Sequence, residues 1–155
     1  METLLTQSLH VIYQVKKITG DPETKKHLQQ LGIQPSNKLA LIKRDKEIAI
    51  LSLRNNRIAL SSSLLEHILV EEVTTHQHWL PLDQLTIGEI GKVISIYGHG
   101  AIRRRLMDMG VTKNIPIVIK KVAPLGDPIE VTLRNYELTL RKEEAALILV
   151  SKEEK

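Results

Sequence analysis

The chain has 155 residues, a formal net charge of +4, 42% apolar and 3% aromatic residues, and neither phenylalanine nor cysteine. Such a composition suits one medium or two small globular domains with cores of Leu, Ile and Val. It excludes disulfides, thiolate metal sites and cysteine nucleophiles, and it is compatible with a reducing compartment. Residues 1–75 carry ten Lys/Arg against eight Asp/Glu, and residues 76–155 carry twelve against ten. Each half is therefore mildly positive, with no basic arm of the kind that marks a nucleic-acid binder. The N-terminal stretch METLLTQSLHVIYQVKK has no basic n-region and no long apolar run, so no secretion signal is expected. No stretch approaches the ~20 apolar residues of a membrane span.

Along the chain, a first strand containing Ile18 leads to a helix with Asp21 as N-cap, Pro22 at the first helical position and Gly32 as terminator. Strands follow on either side of a short charged turn, Arg44-Asp45-Lys46-Glu47. A tight hairpin is marked by Asn55-Asn56, since Asn tolerates positive φ, and a last strand runs through Ile68-Leu69-Val70. The segment Val73–Leu85, with Pro81 as a breaker, is expected to link this block to a second one.

The second block repeats the order. A strand is predicted over Gly91–Tyr97 and a helix over Ala101–Met109, with Ile102, Leu106 and Met109 on its inner face and Gly110 as terminator. Ile115–Val122 and Ile129–Leu133 alternate as half-buried strands do, Asn135 marks a tight turn, and Leu138–Leu140 leads through a helical turn to Leu147–Val150.

These blocks are a tandem duplication. Leu28-x-x-Leu31-Gly32-Ile33 matches Leu106-x-x-Met109-Gly110-Val111 at an offset of 78 residues. Leu53-Arg54-Asn55 and Ile68-Leu69-Val70 match Leu133-Arg134-Asn135 and Ile148-Leu149-Val150 at an offset of 80. The slip lies at a hairpin tip, Ala123-Pro124-Leu125-Gly126-Asp127-Pro128, where an insertion is cheap. The expectation is a mostly β protein of two small SH3-like β-barrels, residues 1–75 and 76–155, each with a short helix inserted after the first strand. Each block is near the lower size limit for an independent core, so the two are expected to pack on each other or on another chain.

The second block reads Leu80-Pro-Leu-x-x-Leu-x-x-Gly88-x-x-Gly91-x-Val93, then Gly98-His99-Gly100-Ala101-Ile102-Arg103-Arg104-Arg105-Leu106-Met107-Asp108-Met109-Gly110. It continues Ala123-Pro124-Leu125-Gly126-Asp127-Pro128-Ile129-Glu130 and ends on Leu140-Arg141-Lys142-Glu143-Glu144-Ala145. Over residues 80–150 this string resembles the FeoA family of bacterial ferrous-iron uptake, and residues 11–71 resemble it faintly. The resemblance implies an SH3-like barrel without catalytic activity and a partner, the FeoB-type membrane transporter with its cytosolic GTP-binding domain. It also implies a cytoplasmic chain, peripheral to the membrane through that partner. The same domain type ends iron-dependent DtxR-like repressors, so the alternative is a metal-responsive regulator reduced to its SH3-like domains. The duplication departs from the family's usual form. The first copy lacks the turn motif and has Thr24 and Gln29 where the second has Ile102 and Met107, so the second copy is expected to be the recognition half and the first a scaffold.

The candidate partner-binding residues are Arg103, Arg104, Arg105 and Met107 on the second helix and Leu125, Gly126, Asp127 and Pro128 on the turn. Three consecutive arginines fan over the exposed side of a helix, at ~100° per residue. They suit an acidic or phosphate-bearing partner, or they form a solvated face whose stems cover the barrel edge. No helix-turn-helix accompanies them, so DNA is not an expected partner. Leu125 is an apolar residue at a loop tip, where recognition often sits. Gly98-His99-Gly100 lacks the Lys-Ser/Thr pair of a phosphate loop and is read as a tight turn before the helix. His10, His27, His67, His76, His78 and His99 form no ligand set, and Asp108 and Asp127 form no acid–base pair, so neither metal, cofactor nor catalytic residue is expected.

Overall fold

The computed structural model describes residues 2–53, 56–73, 77–98 and 100–153. It divides into two compact units, Met1–Gln77 and His78–Lys155. The first unit contains β1 (Glu2–Thr3), β2 (Ile12–Ile18), α1 (Pro22–Gln30), β3 (Lys38–Arg44), β4 (Ile48–Leu53), β5 (Asn56–Ser61) and β6 (Ile68–Glu72). The second contains β7 (Gln77–Pro81), β8 (Ile90–Ile96), α2 (Gly100–Asp108), β9 (Pro116–Val122), β10 (Ile129–Leu133), β11 (Tyr136–Leu140), a helical turn α3 (Lys142–Ala145) and β12 (Ile148–Glu153). The strand orders are β1-β6-β2-β3-β4-β5 and β7-β12-β8-β9-β10-β11, the same topology twice. In each unit four strands form an antiparallel meander and the last strand returns beside the first long one, the connectivity of an SH3-like unit.

Bulges bend both sheets at corresponding positions. In unit 1 the register of β2 with β6 shifts between Val15 and Lys17, and that of β3 with β4 between Leu41 and Lys43. In unit 2 the matching shifts leave Ile94 of β8 and Lys120 of β9 as the extra residues. An extra residue bends its strand and increases its twist, so these insertions wrap each short sheet around its own core. Leu28, Leu39, Leu41, Leu51 and Ile68 fill one core, and Leu106, Ile117, Ile119, Val131 and Ile148 fill the other.

The helix ends follow the residues that terminate them. Asp21 accepts the Thr24 backbone N–H at 2.7 Å, and this bond holds its carboxyl below the usual carboxylate range. Gly32 and Gly110 adopt φ of +95° and +96°, conformations that glycine reaches without strain. The N–H of the next residue, Ile33 or Val111, then bonds back to Leu28 or Leu106 at 3.0 Å. These are Schellman caps, and they drive one apolar residue past each helix into the core.

Two expectations are corrected. The segment read as a linker contains β7, an edge strand beside β12, and Trp79, Leu80, Leu82 and Leu85 are buried. Pro81 is tolerated because an edge strand leaves one side of its ladder unpaired. With β1 and β7 as outer strands each unit has six, and the helix follows the first long strand, β2 or β8. Ile102 is 38% exposed and is not an inner-face residue; of α2 only Leu106 is fully buried, with Met109 packed against the core. The turn at Asn135 is as expected, with Arg134 and Asn135 both at positive φ. The matching turn at Arg54-Asn55, together with His76 and His99, lies outside the described residues.

Candidate interaction surface

The turn between β9 and β10 is closed by its own backbone. Ala123 N–H donates to the Pro128 carbonyl at 3.1 Å, and Gly126 N–H donates to the Ala123 carbonyl at 2.7 Å. Gly126 supplies a φ of +87°. The turn therefore holds a fixed shape while Leu125 is 96% exposed. Complete exposure of a leucine on an ordered turn forgoes ~1.5–3 kcal/mol of burial, so Leu125 is available to a partner rather than to the fold.

Asp127 has a different role. Its Oδ1 accepts the backbone N–H of Lys142, the first residue of α3, at 3.0 Å. Two residues along, the buried Glu144 forms an ion pair with Arg105 of α2, and its other oxygen accepts the Arg141 N–H at 2.9 Å. The turn and α2 are thus both tied to α3. Of the expected site residues, Asp127 on the turn and Arg105 on α2 are linked in this way through α3, and we refer to the turn, α3 and α2 together as the arc of unit 2.

The three arginines separate along this arc. Arg103 Nη1 donates to the Ile96 carbonyl at 3.1 Å, and Arg105 pairs with Glu144. Arg104 makes no hydrogen bond or ion pair among the described residues. Met107 is 44% exposed on α2. The free chemistry of the turn and helix is therefore an apolar knob, an exposed methionine and an unpaired guanidinium.

Glu144 and Lys142 tie the turn to α2 but were not among the candidate residues. The Arg141…Glu144 spacing is that of a capping box and signals one bond of Glu144. Nothing local signals its pairing with Arg105, which is 39 residues away. Among the described residues no group of three or more His, Asp or Glu side chains could hold a metal ion, and no helix is long and apolar enough to cross a membrane.

The model of the FeoA domain family matches the chain twice, over residues 3–72 and 80–152. The chain is similar to the Fe(2+) transport protein A/Fe(2+) transporter FeoB fusion protein of Porphyromonas gingivalis, with 33% identity over 69 residues. That stretch is 44% of this chain and 8% of the fusion protein, so the chain corresponds to a small part of that relative. Among solved structures it is similar to a FeoA-like protein from Clostridium acetobutylicum, with 42% identity over 50% of this chain and 87% of that one and a TM-score of 0.45. It is also similar to a FeoA protein from Chlorobium tepidum, with 40% identity over 46% of this chain and 69% of that one and a TM-score of 0.45.

Proposed function

The chain belongs to the FeoA domain family, whose model covers both of its units, and on that premise we propose that it is a non-catalytic accessory protein of ferrous-iron transport that docks on the cytosolic portion of a FeoB-type transporter. One observation carries this reading. The relative from Porphyromonas gingivalis has the matching stretch in one polypeptide with the Fe(2+) transporter, and a domain joined covalently to a transporter works beside it. The docking surface is the arc of unit 2. Leu125 inserts into an apolar slot of the partner, Met107 extends that contact, and Arg104 meets an acidic rim. Arg103, Arg105, Gly126, Asp127 and Pro128 act by shaping this surface, as their internal bonds and turn geometry support. The chain works in the cytoplasm and reaches the membrane through its partner.

Titration calorimetry of the full chain against the transporter's cytosolic portion tests the proposal. Saturable binding is expected, and Leu125→Glu should weaken it by about a hundredfold, since a buried anchor is replaced by a charge. Absence of binding by the unaltered chain overturns the function; unaltered binding by Leu125→Glu overturns the surface.

A further inference from the structure

Tyr136 follows the β10–β11 turn directly, and its hydroxyl donates to the Met109 carbonyl at the end of α2. From the same hairpin, Arg134 Nη2 donates to Thr112 Oγ1 at 2.9 Å, just beyond the helix. A side chain at Gly110 would run into the Tyr136 hydroxyl, so the glycine that ends the helix also leaves room for the phenol. Arg134 and Asn135, with φ of 48° and 71°, give the turn a twist that matches the strands on either side of it. Among the described residues unit 1 has no such arrangement: Asn56 stands in the place of Tyr136 and Gln34 in that of Thr112, and a side chain at Gly32 would meet none of the described residues within 4 Å.

We infer that Tyr136 is a positioning residue that clamps the last turn of α2, and with it Met107, in its docking conformation. The last four carbonyls of a helix have no partner within it. At Met109 the phenol replaces fluctuating water, and it comes from a hairpin that is itself held in the sheet. The ordering of this turn is then complete before a partner arrives, so docking does not have to supply it. The clamp deepens the docking role proposed above and rests on it, but its first test is independent of any partner.

Amide exchange and methyl relaxation are compared by NMR in the full chain, in Tyr136→Phe and in Tyr136→Asn, which copies unit 1. The amides of Met109, Gly110 and Val111 close the helix end. In Tyr136→Phe they should exchange about tenfold faster and the Met107 methyl should gain mobility, while the amides of β8 and β12 keep their protection. Dissociation from the transporter's cytosolic portion should accelerate by about tenfold with association unchanged. Unaltered exchange and methyl relaxation in Tyr136→Phe overturn the clamp, whatever the partner does. A parallel loss of protection throughout unit 2 overturns the positioning role in favour of a general structural one. Should Tyr136→Asn fail to fold, Tyr136→Phe, which keeps the ring, decides alone. Failure of the unaltered chain to bind overturns the docking reading and leaves the exchange result standing.

Discussion

Unit 1 and unit 2 place their bulges, their helix terminators and their strand pairings at corresponding residues, yet they join the same parts with different chemistry. In unit 1 the tip between β3 and β4 is closed by Asp45, which accepts the N–H groups of Glu47 and Ile48, each at 2.8 Å, and Ser62 ties this tip to the next helical turn. In unit 2 the longer tip is tied to α3 by Asp127 and carries Leu125 into solvent. Where unit 2 has Glu144 paired with Arg105, unit 1 has Leu64 and His27. The helix end that Tyr136 holds in unit 2 has no such tie in unit 1 among the described residues. A duplicated sheet thus tolerates complete exchange of its surface ties, because bulges, glycines and core residues specify the fold. The added ties of unit 2 surround the residues that it exposes.

Substitutions at equivalent positions separate these roles. The largest difference in stability is expected at the helix terminators. Gly32→Ala meets only the strain of positive φ, about 1 kcal/mol. Gly110→Ala meets the same strain and also expels the Tyr136 hydroxyl, for a total of about 2–3 kcal/mol. Trp79, the single tryptophan, is buried in β7, so urea unfolding followed by its fluorescence reads unit 2, and amide exchange in β2 and β6 reads unit 1. Equal losses would show that the two helix ends are equivalent after all.

A smaller effect is expected at Glu144. Glu144→Leu reproduces the residue of unit 1 and removes the Arg105 tie while refilling the space, at a cost of about 1 kcal/mol. Glu144→Ala, which leaves the space empty, should cost about 2 kcal/mol. Chemical unfolding of both variants checks this order, and the reverse order would mean that shape plays no part at the site.

The smallest effect concerns acid. The Lys152 ammonium, followed by the Thr86 N–H and hydroxyl, holds the Glu89 carboxyl down to about 2 from its usual 4.5. A depressed carboxyl stabilises the fold above its unfolded pKa, and this contribution disappears as pH falls from about 4.5 towards 2. Val11 occupies the matching position in unit 1. Glu89→Gln should therefore flatten the acid dependence of unit 2 in that window, by about 1 kcal/mol given the site's access to water, and leave unit 1 as it was. An unaltered acid profile in unit 2 would remove this tie from the comparison.

Much of this architecture is legible in the residues. Alternation at Ile117, Ile119, Ile129, Val131 and Leu133 places β9 and β10, and Gly32 and Gly110 place the helix ends, because strand period and positive φ are local properties. The strand β7 escapes such reading because its apolar residues surround a proline, and only the edge position makes that acceptable. The arginine triplet looks like one feature but is three. Residues ~100° apart on a helix meet different surroundings: Arg103 turns back to the Ile96 carbonyl of the preceding strand, and Arg105 meets the Glu144 carboxylate 39 residues away. Asp127 sits within the turn motif in sequence but bonds to α3, a pairing that the topology creates and no spacing announces.

The claim that unit 2 recognises and unit 1 supports is tested most directly by two charge changes made at equivalent tips. Leu125→Glu and Lys46→Glu are each titrated, in the full chain, against the cytosolic portion of the transporter. About a hundredfold loss of affinity is expected for Leu125→Glu and less than a threefold change for Lys46→Glu. Equal losses, or a greater loss at Lys46, would contradict the division of labour between the units.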